Sequence, residues 1–330
     1  MRRYGLAAIL LLAVAVGTGC ALSVAEGHFD RTLEVGETTV LDVVAPAGSI
    51  EVHSGDPGRV HVAADFTLRP LFWQDATHLA RELENHPPIE QEGNLVRIGQ
   101  LRPPLPASLA GLRVNYRIEA PPRSELRVRT GAGTVQVVGL AGPVRATTGS
   151  GDIELNGIAG DTELTTGSGD IQGRDLGGSV ELRTGHGDVR LERVGATVRA
   201  TTGSGDITVA DAHGTISIRT GHGDVRLERP AGDVRVRTGA GDVTVRGAPG
   251  EGAYWEIRTG AGDVLLELPA TASCTLRATT HAGDIVSQLP LAEEERDRHR
   301  LRGRLGSGSA RIEIETGVGD IRLHRAGQAH

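Results

Sequence analysis

A column of aspartates is the feature of this sequence best suited to carry chemistry. A unit of Thr, Gly, a variable residue, Gly and Asp recurs along the chain, and the acidic positions of its copies are Asp152, Asp170, Asp188, Asp206, Asp224, Asp242, Asp263, Asp284 and Asp320. If the units stack about 4.8 Å apart, neighbouring carboxylates repel by about 1 kcal/mol per pair even in a water-like dielectric. Hydrogen bonds from turn N–H groups to each carboxylate would offset this repulsion, so we predict a structural turn ladder.

Calcium held between the carboxylates of adjacent units is the alternative, because calcium takes oxygen ligands. The calcium-binding RTX roll is also built from short repeats, but its Gly-Gly-x-Gly-x-Asp nonapeptide separates the aspartate from the preceding glycine. In this chain Asp follows Gly directly, and residues 177–180 read Gly-Gly-Ser-Val, without a matching Gly-Asp turn in the second half of the coil. We therefore expect no metal site, and a calcium-binding repeat protein remains an alternative function.

The histidines and threonines of the repeat could also act chemically. His186 and His222 lie two units apart with Ser204 between them, about 9 to 10 Å along the stack, which is too far to share one metal ion. A threonine hydroxyl would be catalytic only beside a base, and the regularity of its column favours a hydrogen-bonded or packed ladder. The column consists of Thr130, Thr148, Thr166, Thr184, Thr202, Thr220, Thr238 and Thr259. The glycine-rich units lack the Lys and the following helix of a phosphate loop. We expect no catalytic residue, no enzymatic activity and no cofactor.

The spacing of the unit predicts the elements that must position these side chains. Units begin at Thr130, Thr148, Thr166, Thr184, Thr202, Thr220, Thr238, Thr259, Thr280 and Thr316, and the first seven of these residues are 18 positions apart. Ile153 and Leu155 alternate with polar Glu154, and after a glycine Thr162 and Leu164 alternate again, which indicates two short strands and two turns per coil. In-register stacking of such coils buries the aliphatic columns as one core.

We therefore predict an all-β fold, a parallel β-solenoid or single-chain β-helix of about ten 18-residue coils. The crossover rule for parallel strands favours a right-handed course. Each corner needs a close backbone approach or a positive φ, so replacement of Gly167 or Gly203 by Val should disturb a corner. The composition agrees with stacked thin coils, because 47 glycines and 2% aromatic residues in a chain of 330 residues cannot fill a bulky globular core.

The first twenty residues indicate export. Arg2 and Arg3 precede an apolar run from Leu6 to Val16 that is too short to span a bilayer and has the layout of a signal peptide. Small residues then lead to Cys20, and the segment resembles the lipobox of bacterial lipoproteins, although Gly17 stands where an apolar residue is preferred. We predict lipidation of Cys20 and a membrane-anchored lipoprotein of the cell envelope, in the periplasm or on the outer surface. Ordinary cleavage and secretion is the alternative.

The remaining segments define the domain organisation that we expect. Residues 1–20 are the signal peptide, 21–34 a linker, 35–125 a β-rich N-terminal cap and 126–325 the solenoid, followed by a tail at 326–330. Within the cap, Ala76 to Glu84 reads as a short helix with Asp75 as its N-cap. Residues 292–309 read as a charged insertion that occupies most of a coil, in the form of a loop.

Two surface features suggest contact with a ligand. Tyr254 and Trp255 stand where one coil is expanded by three residues; if exposed, these rings could stack on a sugar, and if buried they would plug the coil. Arg183, Arg219, Arg237 and Arg258 form a stripe that could dock an acidic polymer. The net charge of −7, with Arg and acidic residues interspersed, excludes a basic footprint for nucleic acid. The partner we expect is an unidentified protein or polysaccharide, together with the membrane through the lipid anchor.

The repeat resembles a known family. The Thr-Gly-Ser-Gly-Asp-Ile units, the strand Tyr116-Arg-Ile-Glu-Ala-Pro-Pro and the later Thr279-Thr-His-Ala-Gly-Asp-Ile are similar to those of the bacterial putative-adhesin family, domain of unknown function 4097, over about residues 35 to 325. The resemblance implies an exported or membrane-associated solenoid of β-strand repeats without known catalytic residues. We expect a non-catalytic, adhesin-like structural or interaction protein, with a polysaccharide-active β-helix enzyme as the second alternative.

Overall fold

Two long β-sheets make up the computed structural model, which describes residues 24–69, 76–100 and 111–326. Sheet 1 has 14 strands and sheet 2 has 15, and each coil contributes one strand to each sheet. The predicted all-β parallel solenoid is confirmed, whereas its right-handed course stays a prediction. The signal peptide, Cys20 and the proposed N-cap Asp75 lie outside the described residues.

The strands follow the chain as short elements joined by tight turns. In the N-terminal region they are β1 (Ala25–Glu34), β2 (Val40–Ala45), β3 (Ile50–Ser54), β4 (Arg59–Leu68), helix α1 (Ala76–Asn85), β5 (Ile89–Glu92), β6 (Leu95–Ile98) and β7 (Leu112–Ala120). The regular stack holds β8 (Glu125–Ala132), β9 (Val135–Val138), β10 (Val144–Ser150), β11 (Ile153–Ile158), β12 (Thr162–Ser168), β13 (Ile171–Leu176), β14 (Val180–His186), β15 (Val189–Val194), β16 (Val198–Ser204), β17 (Ile207–Ala212), β18 (Ile216–His222), β19 (Val225–Glu228), β20 (Val234–Ala240), β21 (Val243–Arg246), β22 (Tyr254–Ala261) and β23 (Val264–Leu268). The C-terminal strands are β24 (Cys274–Ala282), β25 (Ile285–Ser287), β26 (Ala292–Arg296), β27 (Arg300–Leu305), β28 (Ala310–Val318) and β29 (Ile321–Arg325).

The period-2 alternation of the sequence sets which side chains enter the core. In β12, Thr162, Leu164 and Thr166 are buried and the residues between them face outward. The parallel register places like residues on one another, so that Ile153 pairs with Val135 on one side and with Ile171 on the other. The aliphatic columns of both sheets therefore form one continuous core along the stack.

The N-terminal end of the stack does not follow chain order. Strands β2 and β3 pair in parallel with β8 and β9. Strands β6 and β7, which come later in the chain, stack on the other side of β2 and β3. The coil formed by β2 and β3 is thus inserted between two later coils, and the antiparallel strands β1, β4 and β5 complete this end.

The C-terminal end has the same kind of insertion. Strands β28 and β29 form the last coil in the chain, yet β28 lies between β22 and β24, and β29 lies between β23 and β25. The charged segment 292–309, expected as a loop, contains β26 and β27. These two strands form an antiparallel hairpin, and β27 pairs with β24. The hairpin covers the strand edge that the final coil would otherwise leave open.

The described residues hold twelve coils, two more than the repeat pattern indicated. Apart from the antiparallel strands β1, β4, β5, β26 and β27, each sheet has twelve parallel strands. One extra coil turns at Ala45-Pro46-Ala47-Gly48-Ser49, which lacks both the Thr and the Asp of the unit. Gly48 nevertheless has φ of +118°, in the same region as Gly133 at +139° in the next coil. The corner is therefore built on backbone geometry that the side-chain pattern does not reveal.

Close packing of successive corners explains the glycines there. A Cβ on Gly203 would lie 2.6 Å from the carbonyl oxygen of Gly185 in the preceding coil, so a valine at Gly203 is expected to push the two coils apart. Gly173 interrupts an aliphatic column for another reason, because the side chains of Leu176 and Leu191 already fill the space where its Cβ would lie.

Helix α1 extends from Ala76 to Asn85, one residue beyond the predicted end, and packs with Ala80 buried beside β1. In the parts of the chain that the structure describes, no helix has the length and apolar character needed to cross a membrane.

Candidate functional site

The aspartates form a continuous ladder of hydrogen bonds along one corner of the solenoid. The backbone N–H of each aspartate donates to Oδ1 of the aspartate in the neighbouring coil, from Asp170 on Asp152 to Asp263 on Asp242, at 2.8 to 2.9 Å. The donors are thus backbone groups of the next coil and not of the same turn. Because a partly positive N–H lies between each pair of carboxylates, the arrangement offsets their repulsion.

The ladder continues through the inserted coil and ends at an arginine. Asp320 donates to Asp263 and Asp284 donates to Asp320, in the spatial and not the chain order of the coils. The carboxylate of Asp284 has no further coil above it, and Nε of Arg298, in the turn between β26 and β27, lies 3.4 Å from its Oδ1. Arg322 contacts the second oxygens of Asp263 and Asp320 at 2.9 and 3.2 Å. The hairpin and the last coil therefore neutralise the end of the ladder.

The threonine column points into the core and bonds to the corner carbonyls. All threonines of the column are at least nine-tenths buried. The hydroxyl of Thr166 donates to the carbonyl of Gly151 at 3.1 Å, and that of Thr259 donates to Gly241 at 3.1 Å. The hydroxyls of Thr130 and Thr238 have no hydrogen-bond partner. Buried hydroxyls held by backbone carbonyls support the corner and are not placed to attack a substrate.

The histidines occupy the exposed variable position of the corner. His186 pairs in register with Ser204, and Ser204 pairs with His222, so a serine separates the two rings. Within residues 24–69, 76–100 and 111–326, no three His, Cys, Asp or Glu side chains are grouped closely enough to hold a metal ion.

The opposite corner holds a second charged ladder that the sequence reasoning missed. Asp175, Arg193, Asp211 and Arg229 occur every 18 residues and adopt φ between +51° and +55°, a conformation that costs a non-glycine residue about 1–2 kcal/mol. Arg193 binds both carboxylate oxygens of Asp175 at 2.5 and 2.9 Å, and Arg229 binds Asp211 at 2.6 and 2.7 Å. The strict alternation of Asp and Arg at this position of successive coils is the sequence pattern from which the ladder could have been predicted.

These pairs also shift the titration of the acidic residues. The hydrogen bond from Arg193 holds the pKa of Asp175 below its ordinary value, and the hydrogen bond from Arg229 does the same for Asp211. Bidentate guanidinium–carboxylate contacts are the strongest ion pairs that exposed side chains form. We infer that they help to hold the strained corner.

The two aromatic residues of the expanded coil are split by the pleat of β22. Trp255 is fully buried and its indole N–H donates to the carbonyl of Gly232 at 3.0 Å. Trp255 therefore cannot stack on a ligand, which corrects the expectation for this residue and makes it the plug of the expanded coil. Tyr254 is half-buried on the outer face of sheet 2, where its hydroxyl donates to Oε2 of Glu313 at 2.6 Å.

Tyr254 lies in a shallow hollow of about 450 Å³ at the C-terminal end of sheet 2. The guanidinium of Arg311 lies 5.8 Å from its ring centroid, at cation–π distance. The hydrogen bond with Glu313 raises the pKa of Tyr254 and lowers the pKa of Glu313. The ring of Tyr254 remains a candidate ligand contact, although the guanidinium of Arg311 already lies over one of its faces.

The outer face of sheet 2 carries the arginine stripe expected from the sequence, together with two further arginines. Register places Arg219, Arg237 and Arg258 on one another in three consecutive coils. The neighbouring column holds Arg199, Ser217, Arg235 and Glu256 in the coils of β16, β18, β20 and β22. The sequence pattern had pointed to the column of Arg183, Arg219, Arg237 and Arg258 alone, so Arg199 and Arg235 in the neighbouring column were not predicted.

Glu256 is the one carboxylate inside this group of arginines, and its side chain is only 8% exposed. Arg235 Nε lies 2.9 Å from it, Arg258 Nη1 lies 2.8 Å from it, and Arg237 lies at 3.3 Å. Burial raises the pKa of Glu256, but the hydrogen bond from Arg235 and the charges of Arg258 and Arg237 outweigh this effect, so the pKa lies below its ordinary value. Arg258 also contacts Glu315 of the adjacent coil at 3.2 Å, so three positive charges are balanced by two carboxylates.

Comparison with known proteins shows that the repeat is similar to a described family. Residues 178–324 match the family model described as Toastrack DUF4097. No curated protein matches the chain in sequence. Among solved structures, the chain is similar to a putative cell adhesion protein from Clostridium sporogenes, with 12% identity, a TM-score of 0.24 and coverage of 91% of this chain and 100% of that one.

Two other solved structures are similar over a comparable length. A putative adhesin from Bacteroides fragilis has 12% identity and a TM-score of 0.29, covering 90% of this chain and 96% of that one. A putative lipid binding protein from Parabacteroides distasonis has 6% identity and a TM-score of 0.31, covering 90% and 97%. The family itself rests on the sequence match, which spans the repeats from the turn before β14 to β29, and the resemblance of the units to this family is thereby confirmed. The repeats from residue 178 to residue 324 therefore match the Toastrack DUF4097 family, which is the family suspected from the repeat units.

Proposed function

We propose that this chain is a non-catalytic, adhesin-like interaction protein of the bacterial cell envelope, which presents the outer faces of a rigid solenoid to a polysaccharide or protein partner. One observation carries the proposal. The aspartates and threonines of the repeat have structural positions: the aspartates accept backbone N–H groups of the next coil, and the threonines are buried, most of them bonded to corner carbonyls. The residues left for a partner are those of the outer sheet faces.

The shape of the solenoid suits a binding role of this kind. Twelve coils stacked about 4.8 Å apart span about 50 Å, and identical backbone hydrogen bonds join every coil to the next. Side chains on the outer faces therefore recur at a fixed spacing, in positions that do not depend on flexible loops. A regular, rigid surface matches a partner that is itself repetitive.

The proposed place of the protein in the envelope is supported by the sequence pattern of its first residues. The signal-like run from Leu6 to Val16 would direct export, and Cys20 would carry the lipid that anchors the protein. Both features lie before the described residues, so they remain part of the proposal. A lipid anchor would leave the entire solenoid outside the bilayer.

Fractionation of cells that produce the full-length chain tests the export part of the proposal. We expect the protein in the membrane fraction, and we expect the Cys20→Ser variant to move to the soluble envelope fraction with its N-terminus cleaved nearby. Retention of the wild-type chain in the cytosol with an intact N-terminus would contradict export.

The interaction part is tested with the purified full-length protein in detergent. Immobilised heparin, polygalacturonate, mucin and neutral dextran serve as surfaces, and we expect retention on at least one of them without chemical change to it. Appearance of new reducing ends or unsaturated sugar products in the supernatant would overturn the non-catalytic assignment in favour of a polysaccharide-active enzyme. Absence of retention on every surface by folded protein would overturn polymer binding.

A further inference from the structure

The outer face of sheet 2 between β14 and β22 has an excess of positive charge that the chain does not neutralise. Six outward arginines lie on five consecutive strands, and we call them the arginine face: Arg183, Arg199, Arg219, Arg235, Arg237 and Arg258. The outward acids of the same strands are Glu181, which pairs with Arg183, and Glu256. The protein as a whole is acidic, with a net charge of −7, so this local excess is not a consequence of composition.

Two arginines at the centre of the face have no anionic partner in the described part of the chain. Arg199 and Arg219 are exposed, and neither forms an ion pair or a side-chain hydrogen bond with residues 24–69, 76–100 or 111–326. Glu181 is the register neighbour of Arg199, but its carboxylate pairs with Arg183. Many arginines elsewhere on the sheets are paired with acids in the same or the adjacent coil, as Arg145 is with Glu163 and Arg174 is with Glu192, whereas exposed Arg113 and Arg226 of sheet 1 are isolated single charges. The arginine face differs from both cases because its arginines lie beside one another in successive coils.

The strand register adds electrostatic repulsion between neighbouring arginines of the face. Arg219 lies directly beside Arg237, and Arg237 lies beside Arg258, in consecutive coils. Like charges directly opposite each other in a sheet destabilise it. Glu256, which contacts Arg237 and Arg258, and Glu315, which contacts Arg258, relieve only one end of this column, because neither contacts Arg219. An external anion would complete the charge balance that the chain leaves open.

The space around the two central arginines is open to such an anion. Thr201 lies beside Arg219, and Ser217 lies beside both Arg199 and Arg235, so short hydroxyl side chains separate the guanidinium groups. Short side chains leave room for a ligand at the sheet surface and supply hydroxyl donors and acceptors. Guanidinium groups bind carboxylate and sulfate groups through two parallel hydrogen bonds.

The form of the face favours a linear polymer of sugars over a nucleic acid. Five coils extend over about 19 Å along the stack, with charges repeated every one or two coils, or about 5 to 10 Å. Proteins that bind single strands use aromatic rings on which bases stack. Strands β14, β16, β18 and β20 hold no aromatic residue, and the outward ring of β22, Tyr254, is already engaged with Glu313 and Arg311. The outward residues of the four strands combine guanidinium and hydroxyl groups.

From these observations we infer that the arginine face binds a linear anionic polysaccharide, with Arg199 and Arg219 as its central contacts. The ligand class is defined by repeated carboxylate or sulfate groups along a sugar chain. The inference rests on the proposed function as a non-catalytic interaction protein and assigns a site and a ligand chemistry to it.

The test compares charge reversals on the two sheets of the full-length protein in detergent. The double variant Arg199→Glu/Arg219→Glu removes the central contacts. The matched control Arg113→Glu/Arg226→Glu makes the same change in net charge at exposed positions of sheet 1. We expect the Kd for heparin or polygalacturonate to rise at least about tenfold in the first variant and less than about twofold in the control, since the exposed charges of sheet 1 lie on the other face. Thermal unfolding of both variants verifies that they are folded.

A second variant should act in the opposite direction. Glu256→Gln removes the internal competitor of Arg235, Arg237 and Arg258, and we expect it to bind the same polymer about threefold more tightly, with a steeper dependence on salt. A gain in affinity cannot be produced by misfolding, so this variant keeps the inference testable if the double variant is unstable.

The polymers distinguish the outcomes. Preference for polygalacturonate identifies carboxylate as the ligand group, and preference for heparin identifies sulfate; either supports the inference if the double variant loses the binding. Equal binding of the double variant and the wild type overturns the inference, while retention on another surface still supports the proposed function. Tighter binding of single-stranded DNA than of either polysaccharide, lost in the same double variant, would also overturn it and assign the face to nucleic acid.

Discussion

The backbone N–H of Asp284 donates a 2.9 Å hydrogen bond to Oδ1 of Asp320, a residue that lies 36 positions later in the chain. The bond has the geometry of its counterparts between coils that are consecutive in sequence, such as Asp206 on Asp188. The last coil is therefore inserted beneath an earlier one without interrupting the ladder. Folding of this end requires that β24 and β25 leave a gap for β28 and β29, or dock after them.

Substitutions at Asp206 should separate the role of its charge from the role of its hydrogen bond. Asp206→Ala leaves the N–H of Asp224 without its acceptor, and we expect a loss of about 1 kcal/mol of unfolding free energy. Asp206→Asn keeps a carbonyl acceptor and removes two carboxylate repulsions, so it should lie within about 0.5 kcal/mol of the wild type. Denaturant unfolding of both variants measures the difference. A loss in the Asn variant as large as that in the Ala variant would show that the ladder needs the negative charge.

Calcium should have no effect on stability. Each carboxylate of the ladder already uses one oxygen on a backbone N–H, whereas calcium takes about six to eight oxygen ligands. We expect the same unfolding midpoint in excess calcium and in chelator. A ligand present at about 100 times its Kd adds about 2.7 kcal/mol to a folded state that alone binds it, so a calcium site would be visible as a clear rise of the midpoint and would favour the calcium-binding alternative.

Two glycines with positive φ provide a matched test of corner packing. Gly205 has φ of +138°, and a Cβ there would lie 2.1 Å from the carbonyl oxygen of Gly187, whereas Gly252 has φ of +74° and open space around it. We expect Gly252→Ala to cost about 1 kcal/mol through backbone strain alone. Gly205→Ala should cost more than about 3 kcal/mol, because neighbouring coils must separate. Similar midpoints in thermal unfolding would contradict this account of the corners.

The neighbouring residues Tyr254 and Trp255 should differ sharply in their effect on stability. Trp255→Ala leaves a cavity in the expanded coil, and we expect a loss of about 3–5 kcal/mol. Tyr254→Phe removes only the hydrogen bond to Glu313 on the outer face, so the loss should be about 1 kcal/mol. Unfolding in denaturant compares them, and a small effect of Trp255→Ala would mean that the ring does not plug the coil.

The buried carboxylate of Glu256 should make part of the stability dependent on pH. Because its pKa in the folded protein lies below the ordinary value of 4.5, its contribution is present above that value and is lost as the pH falls through the lower folded-state pKa. We expect Glu256→Gln to reduce the unfolding free energy by about 1–2 kcal/mol at neutral pH. The difference from the wild type should shrink below about pH 4. A difference that is constant with pH would exclude ionisation of Glu256 as its source.

The repeat itself was readable from the sequence because a solenoid imposes one local rule on every coil. Alternation of Ile153 and Leu155 with polar residues sets the inward face, and the recurring Thr and Asp mark the corner. Such periodic constraints are local, so they predict the strands, the parallel stack and the buried columns. The same regularity pointed to hydrogen bonding along the aspartate column, but it did not indicate that the donor belongs to the next coil.

Only the tertiary structure decided the features that depend on which coil lies beside which. Chain order gives no hint that β28 lies between β22 and β24, or that β2 and β3 are inserted at the other end, because every coil offers its neighbours nearly the same pairing edge. The burial of Trp255 depends on the pleat of β22 at an expanded coil. The sequence by itself therefore determined the repeating unit. The tertiary structure decided how the two unlike ends pack and which column holds Arg199 and which holds Arg219. These features depend on long-range contacts that no local pattern encodes.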